Sequence, residues 1–196
     1  MKNPISNLFR RNSEELFAEK KLIRQHINEL KDNMPEARRQ SEADHVFSKI
    51  ESLPEFKRAT TILLYWSTGD ELPTQTFIKK WCSTKIIVLP SVISDTKMEL
   101  KRYFAIGKMK KGAFGIEEPD SIETYKGKVE LVIVPGIAFD RKKNRLGRGK
   151  GYYDRFLDKN KVYKIGVGFD YQLLDKVPVS SEDIKMNKIV TASETI

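Results

Sequence analysis

The chain has very little cysteine or histidine. Its 196 residues include one cysteine, Cys82, and two histidines, His26 and His45. A single cysteine excludes an internal disulfide, and Cys82, beside Trp81 in a predicted helix, is expected to be a small core residue. The histidines fall in separate predicted helices without a partner motif. The sequence therefore contains no Cys/His metal cluster and no Ser/His/Asp pattern.

Long hydrophobic runs are also missing. No apolar stretch approaches membrane-spanning length, and residues 1–11 lack the apolar segment of a signal peptide. We find no internal repeat, low-complexity segment or convincing domain boundary, and the length suits one domain covering residues 1–196. We therefore expect a cytoplasmic protein without a membrane partner.

Positive charge is in excess, and part of it is concentrated. The chain has 36 basic and 27 acidic residues, a net charge of +9. Such a balance attracts polyanions, but most charges are scattered through predicted helices as solvated faces. The exception is the segment 141–150. Binding of a compact, multiply charged ligand explains its high density of cations better than a general contribution to solubility does. Its cations are Arg141, Lys142, Lys143, Arg145, Arg148 and Lys150.

Glycines alternate with cations inside this segment. Gly147, Gly149 and Gly151 flank Arg148 and Lys150. Glycine backbone can turn N–H groups toward an anion, and the cations add charge-assisted hydrogen bonds to phosphate oxygens. The loop lies between a predicted strand, 129–135, and a predicted helix beginning at 152, an arrangement that aims a helix N-terminus at a polyphosphate.

Two common phosphate loops do not match this stretch. A P-loop needs Ser or Thr after its lysine, whereas Lys150 is followed by Gly151. A dinucleotide fingerprint needs a third glycine where Tyr152 or Asp154 stands. A nucleotide is the ligand that this loop predicts, and a solvated basic hairpin tip is the alternative.

Strands and helices alternate along the chain. Periodicity and cap residues predict helices over 13–32 (capped by Asn12), 35–50 and 74–83, and a loop-like segment over 108–126. Apolar, β-branched runs predict strands over 60–66, 85–90, 98–105, 129–135, 163–169 and 188–191. This order predicts an α/β sandwich with a mostly parallel central sheet. Ligands of such sheets bind at the carboxyl ends of strands.

Eight short segments, spread over nearly the whole chain, carry a further signal. They are Lys20–Arg24, Trp66–Glu71, Gly115–Pro119, Pro135–Asp140, Asn144–Asp154, Gly168–Asp170, Val177–Val179 with Asp183, and Ile189–Thr191. Together these segments resemble the 5-formyltetrahydrofolate cyclo-ligase family, also called methenyltetrahydrofolate synthetases. Glu117 stands where the family often has proline, and Glu182 where it often has histidine.

The resemblance implies a fold and a reaction. The fold is a three-layer α/β/α sandwich related to sugar-phosphate isomerases and coenzyme A transferases. The reaction is a Mg²⁺- and ATP-dependent closure of 5-formyltetrahydrofolate, with or without a polyglutamate tail, to 5,10-methenyltetrahydrofolate, ADP and phosphate. The formyl oxygen takes the γ-phosphoryl group, N10 attacks the activated carbon, and phosphate leaves. The protein then needs no covalent nucleophile; it positions ligands and stabilises charge.

The same resemblance assigns the site. Arg148, Lys150 and Tyr152 are the catalytic candidates, and Asp154 and Asp183 the Mg²⁺ ligands. The ATP-binding candidates are Lys20, Arg24, Arg145, Leu146, Gly147, Arg148, Gly149, Lys150, Gly151, Tyr152 and Tyr153. The folate-binding candidates are Trp66, Glu71, Arg148, Gly149, Lys150, Gly151 and Tyr152.

Each assignment has a simpler alternative. Lys20 and Arg24, spaced i, i+4, could form an exposed pair on one helix face, and Lys150 could be a solvated surface residue. Asp154 could cap a helix, Asp183 could be a surface carboxylate, and Glu71 a turn residue. Trp66 could belong to the core.

Glu71 follows a predicted strand. We expect it to reach the same sheet edge as the glycine loop while lying apart from the cations of that loop, where it would meet N–H donors of the folate.

Two other functions stay open on sequence grounds. One is a sugar-phosphate isomerase or transferase of the related fold. The other is a basic nucleic-acid-binding module, although the cations centre on a glycine turn and no recognition motif accompanies them, so we expect no nucleic-acid partner.

Overall fold

A computed structural model describes residues 13–196, so the predicted cap Asn12 lies outside the described chain. The α-helices are α1 (Ser13–Asp32), α2 (Glu36–Ser52), α3 (Pro54–Arg58), α4 (Gln75–Trp81) and α5 (Tyr152–Lys159). The strands are β1 (Thr61–Leu63), β2 (Ile86–Val92), β3 (Met98–Arg102), β4 (Met109–Lys111), β5 (Glu117–Pro119), β6 (Leu131–Pro135), β7 (Ala138–Asp140), β8 (Arg145–Leu146), β9 (Tyr163–Val167), β10 (Leu173–Leu174) and β11 (Lys188–Val190).

The central sheet is mostly parallel, as predicted. Its strand order is β11–β9–β6–β1–β2–β3. Each neighbouring pair from β11 to β2 is parallel, and β3 closes one edge antiparallel to β2. Within residues 13–196, no helix is long and apolar enough to cross a membrane.

Helices cover both faces of this sheet, because successive strand residues point to opposite sides. Ile62 and Leu64 pack in one core cluster with Phe47 of α2 and Phe77 of α4. Leu63, between them, packs in a second cluster with Leu157 of α5. These two clusters give the layered α/β architecture that the alternation of elements predicts.

The segment 108–126 was expected to be a loop, and this prediction is wrong in part. β4 and β5 form a short antiparallel hairpin within it. Glu118 of β5 is buried and forms an ion pair with Lys101 of β3 (3.4 Å). Gly112 and Gly115 interrupt the strand pattern in the sequence. The hairpin depends instead on the ion pair between Glu118 and Lys101 of the separate strand β3.

A small sheet of β10, β7 and β8 separates β6 from the glycine loop. It is held by the buried carboxylate of Asp140, which accepts hydrogen bonds from the backbone N–H groups of Lys142, Asn144 and Val177. The glycine loop therefore follows the short strand β8, not the long strand β6 as the sequence suggested.

Candidate functional site

The glycine loop adopts the backbone conformations that its sequence predicts. Gly149 and Gly151 have positive φ values of 105° and 66°. Gly151 directly precedes α5, so the loop ends at a helix N-terminus. A Cβ at Gly147 would lie 2.9 Å from an Arg145 guanidinium nitrogen, so a larger residue there would displace the end of that side chain. Such a loop presents backbone N–H donors to an anion.

Helix α1 brings the predicted pair Lys20 and Arg24 to this loop. The Arg24 Nε–H donates to the carbonyl oxygen of Gly147 (3.0 Å). Lys20 Nζ lies 2.5 Å from Asp183 Oδ2. Burial lowers the pKa of Arg24, and the charge of Asp183 opposes that shift. The simple alternative, an exposed helix-face pair, is therefore wrong for both residues.

Arg145 ties the loop to the carboxyl end of the central sheet. Its guanidinium donates to the carbonyl oxygen of Pro135, the last residue of β6 (3.1 Å), and forms an ion pair with Asp154 (2.7 Å). The Arg145 side chain is only 5% exposed. Arg145 therefore lies at the entrance of the loop, where its burial indicates a bracing role.

The two predicted metal ligands, Asp154 and Asp183, lie near each other. The backbone N–H of Ile184, next to Asp183, donates to Asp154 Oδ1 (3.3 Å). Burial would raise the pKa of Asp183, but hydrogen bonds from Lys20 and the Ser180 N–H, with the lysine charge, outweigh it and lower that pKa.

No group of three or more His, Cys, Asp or Glu side chains in residues 13–196 is arranged to hold a metal ion. Mg²⁺ bound with a nucleotide takes most of its ligands from phosphates and water, however, so one or two carboxylates suffice. Asp154, which pairs with Arg145, and Asp183, which pairs with Lys20, are two carboxylates of this kind.

Arg148 points toward the segment that follows β1. It forms ion pairs with Asp70 (2.7 Å) and Glu71 (3.3 Å) and donates a hydrogen bond to Thr68 Oγ1 (3.2 Å). Burial would raise the pKa of Asp70, but hydrogen bonds from Arg148 and Thr68 lower it to about 2.

The expectation that Glu71 lies apart from the loop cations is therefore wrong. The carboxyl ends of parallel strands meet at one sheet edge, and the long Arg148 side chain spans the remaining gap.

Lys150 and Tyr152 contact the turn that follows β2. Lys150 Nζ lies 3.4 Å from Asp95 Oδ1, and both side chains are exposed. The Tyr152 hydroxyl donates to the carbonyl oxygen of Ser94 (2.9 Å). Arg155, which sequence reasoning missed, donates to the carbonyl oxygens of Thr96 and Lys150. Four cations thus brace the loop. Arg24 links it to α1, Arg148 to the segment after β1, and Lys150 and Arg155 to the turn after β2.

The inner side of the loop contains buried polar atoms without a hydrogen-bond partner in residues 13–196. They are Tyr153 OH and Arg145 Nε. The Arg145 guanidinium lies 5.6 Å from the Tyr153 ring centroid. Burial raises the pKa of Tyr153 well above its ordinary value, and the charge of Glu71 adds to this shift. Leu146, also predicted to contact ATP, is buried in a core cluster beneath the loop.

Trp66 lies at the other end of the segment that contains Glu71. It packs against the core, as the simpler reading predicts, yet stays partly exposed, and its Nε1–H donates to Glu117 Oε2 (3.0 Å). Asp70 and Glu117 are site-edge residues to which the sequence assigned no role. The adjacent acidic pair at a strand end was a usable signal for Asp70, whereas nothing in the sequence connects Glu117 with Trp66.

Comparisons with known proteins agree on one family. The family model for 5-formyltetrahydrofolate cyclo-ligases matches residues 17–192. The 5-formyltetrahydrofolate cyclo-ligase of Haemophilus influenzae is 30% identical over 86% of this chain and 95% of its own length. The solution structure of Aquifex aeolicus 5,10-methenyltetrahydrofolate synthetase is similar, with a TM-score of 0.81, 33% identity, and coverage of 90% of this chain and 91% of that chain.

A second solved structure supports the fold alone. The 5,10-methenyltetrahydrofolate synthetase of Mycoplasma pneumoniae has a TM-score of 0.70 at 22% identity, covering 88% of this chain and 98% of that chain.

Proposed function

The chain belongs to the 5-formyltetrahydrofolate cyclo-ligase family, and we propose that it closes 5-formyltetrahydrofolate to 5,10-methenyltetrahydrofolate while converting ATP to ADP and phosphate. The observation that carries this proposal is the contact between Arg148 and Glu71. This contact brings the glycine loop, which suits phosphates, next to the carboxylate of Glu71, which can accept hydrogen bonds from N–H groups of a folate. Phosphoryl transfer to the formyl oxygen requires the two ligands to meet in this way.

The nucleotide half of the proposed site is the glycine loop and its cations. Backbone N–H groups at Gly147–Gly151 and the N-terminus of α5 suit a polyphosphate. Lys20 and Arg24 approach from α1, while Arg148 and Lys150 extend from the loop itself. Each charge-assisted contact to a phosphate oxygen contributes about 1.5–3 kcal/mol. To bind phosphates, Arg148 gives up its ion pair with Asp70, and Lys150 gives up its ion pair with Asp95.

The folate half is the segment Trp66–Glu71. Glu71 Oε2 already accepts a hydrogen bond from the Thr68 backbone N–H (3.0 Å), which fixes the carboxylate. Its other oxygen faces Arg148. When Arg148 turns to a phosphate, this oxygen becomes available to N–H donors of the folate. The partly exposed Trp66 offers a flat surface for an aromatic ring system.

The chemistry then needs positioning and charge stabilisation more than a nucleophile of the protein. The formyl oxygen attacks the γ-phosphorus and ADP leaves. N10 then attacks the activated formyl carbon and loses its proton to water, and phosphate leaves to give the methenyl bridge. Arg148 and Lys150 stabilise negative charge on the transferred phosphoryl group. Asp154 and Asp183 would hold a Mg²⁺ ion, which when bound supplies further charge neutralisation.

Absorbance of methenyltetrahydrofolate tests the proposal. With ATP, Mg²⁺ and 5-formyltetrahydrofolate we expect the product to accumulate, and we expect none when ATP is omitted. Failure of the complete mixture to form product would contradict the proposed function.

Glu71→Gln tests the division of the site. It keeps shape and one acceptor, so we expect folate affinity to fall about fivefold, corresponding to about 1 kcal/mol. Isothermal titration with an ATP analogue should show a smaller change, and Glu123→Gln, at an exposed position away from the loop, is the matched control. A larger loss for the ATP analogue than for folate would place Glu71 in the nucleotide half.

A further inference from the structure

The indole of Trp66 is held at its ring face and at its ring edge. Its centroid lies 5.7 Å from that of Tyr103, with a tilt of 34° between the rings. Tyr103 is buried, and its backbone N–H donates to the carbonyl oxygen of Ile87 in β2, so this platform is part of the sheet. The Trp66 Nε1–H donates to Glu117 Oε2 at 3.0 Å. Aromatic contacts tolerate several tilts, whereas a hydrogen bond at one ring edge selects a single orientation.

The hairpin places Glu117 at that ring edge through strand alternation. Neighbouring side chains of a strand point to opposite faces. Glu118 points inward and pairs with Lys101 of β3, with both side chains 10% exposed. Glu117 is therefore directed to the other face of β5, where it is exposed except for its contact with Trp66. The buried ion pair thus fixes the direction of the neighbouring carboxylate.

We propose that Glu117 is a positioning residue that fixes the Trp66 indole for contact with the ring system of the folate. This inference rests on the proposed function, which assigns Trp66 to the folate half of the site. Glu117 acts through the indole and does not itself contact the reacting atoms. It also links the β4–β5 hairpin to the segment Trp66–Glu71, so that a change in the hairpin alters folate binding and leaves nucleotide binding unchanged.

The hydrogen bond can be observed directly by NMR. The chain has two tryptophans, so its ¹⁵N spectrum contains two indole N–H signals, which Trp81→Phe assigns. In Glu117→Leu we expect the Trp66 signal to move upfield, because the carboxylate acceptor is lost. Glu117→Gln keeps an acceptor oxygen and should move it less. The Trp81 indole, which donates to Glu51 (2.8 Å), should stay in place and serves as the internal control.

Kinetics show whether this contact matters for the reaction. In Glu117→Leu we expect KM for folate to rise about fivefold, the ratio that corresponds to about 1 kcal/mol. We expect kcat and KM for ATP to change little, and Glu117→Gln to recover most of the loss. Glu123→Leu, which removes an exposed carboxylate nearby in the sequence, is the matched control and should behave like the wild type.

The outcomes separate the two proposals. A wild-type enzyme without folate turnover refutes the proposed function and with it the positioning role. Wild-type turnover with an unchanged folate KM in Glu117→Leu overturns the positioning role alone. Equal losses in Glu117→Gln and Glu117→Leu would also overturn it if the Trp66 N–H signal of Glu117→Gln stays at its wild-type position, because folate binding would then be lost while the indole hydrogen bond persists.

Discussion

The adjacent residues Tyr152 and Tyr153 should respond in opposite directions to loss of the hydroxyl group. The Tyr152 hydroxyl donates to the carbonyl oxygen of Ser94 (2.9 Å). The Tyr153 hydroxyl is buried and has no hydrogen-bond partner in residues 13–196. Phenylalanine keeps each ring and removes only the oxygen. The pair therefore isolates the contribution of one bonded and one unbonded hydroxyl within the same helix turn.

The magnitudes follow from burial and bonding. An unsatisfied buried hydroxyl costs about 1–3 kcal/mol, and part of this is offset by contacts that the oxygen makes with its surroundings. We therefore expect Tyr153→Phe to stabilise the ligand-free protein by about 1 kcal/mol. Tyr152→Phe loses a hydrogen bond near the surface and should destabilise it by about 0.5–1 kcal/mol. The two variants should thus differ by about 1.5–2 kcal/mol.

Urea unfolding at neutral pH, followed by tryptophan fluorescence, measures this difference. The slope of the free energy of unfolding with urea should match the wild type in both variants, so that a change of midpoint reports stability. If the proposed ATP site is correct, Tyr153→Phe should gain stability without gaining ATP affinity. Destabilisation by Tyr153→Phe equal to or larger than that by Tyr152→Phe would refute the reasoning, because it would show that the Tyr153 hydroxyl is already satisfied.

Three further predictions concern the charged groups around the loop. Arg148→Ala and Lys150→Ala should each raise KM for ATP about ten- to a hundredfold, since about 1.4 kcal/mol corresponds to a factor of ten. Lys142→Ala removes an exposed cation outside the glycine turn and should leave KM for ATP unchanged. Wild-type ATP kinetics in Arg148→Ala and Lys150→Ala would contradict their assignment. Asp154→Asn should weaken activation by Mg²⁺ more than nucleotide binding, and a magnesium titration with an unchanged curve and full activity would rule out metal ligation.

The pKa of Asp70 is lowered to about 2, so the ionised carboxylate stabilises the fold at pH values above the ordinary carboxyl pKa. This contribution is lost as the pH falls from about 4 toward 2. It amounts to about 1 kcal/mol after discounting for partial exposure. Urea titrations should therefore show wild type and Asp70→Asn converging as the pH falls through this range, and a constant difference would contradict the Arg148–Asp70 pairing.

Features with a local physical cause could be predicted from the sequence. The spacing of glycines around Arg148 and Lys150 required backbone that only glycine readily adopts, and Gly149 and Gly151 have positive φ. The i, i+4 spacing of Lys20 and Arg24 placed both on one helix face, which α1 directs at the loop. Apolar runs that alternate along the chain with segments of helical periodicity were sufficient to predict a mostly parallel sheet covered by helices.

Features that depend on distant contacts could not be predicted. The direction of Arg148 depends on where the end of β1 lies relative to the loop, and no local pattern encodes that distance. The β4–β5 hairpin depends on the buried pair Lys101–Glu118, whose members are 17 residues apart. The small sheet around Asp140 likewise depends on Val177, which is distant in the sequence.

The ratio of ADP to methenyltetrahydrofolate tests the central claim most directly. Both products are measured over time in one reaction with ATP, Mg²⁺ and 5-formyltetrahydrofolate. If Arg148 and Glu71 join one nucleotide site and one folate site, ADP and methenyltetrahydrofolate should appear in equal amounts, and neither should form when one substrate is omitted. Formation of ADP at the same rate without the folate, or of the methenyl product without ADP, would contradict the coupled reaction proposed for this site.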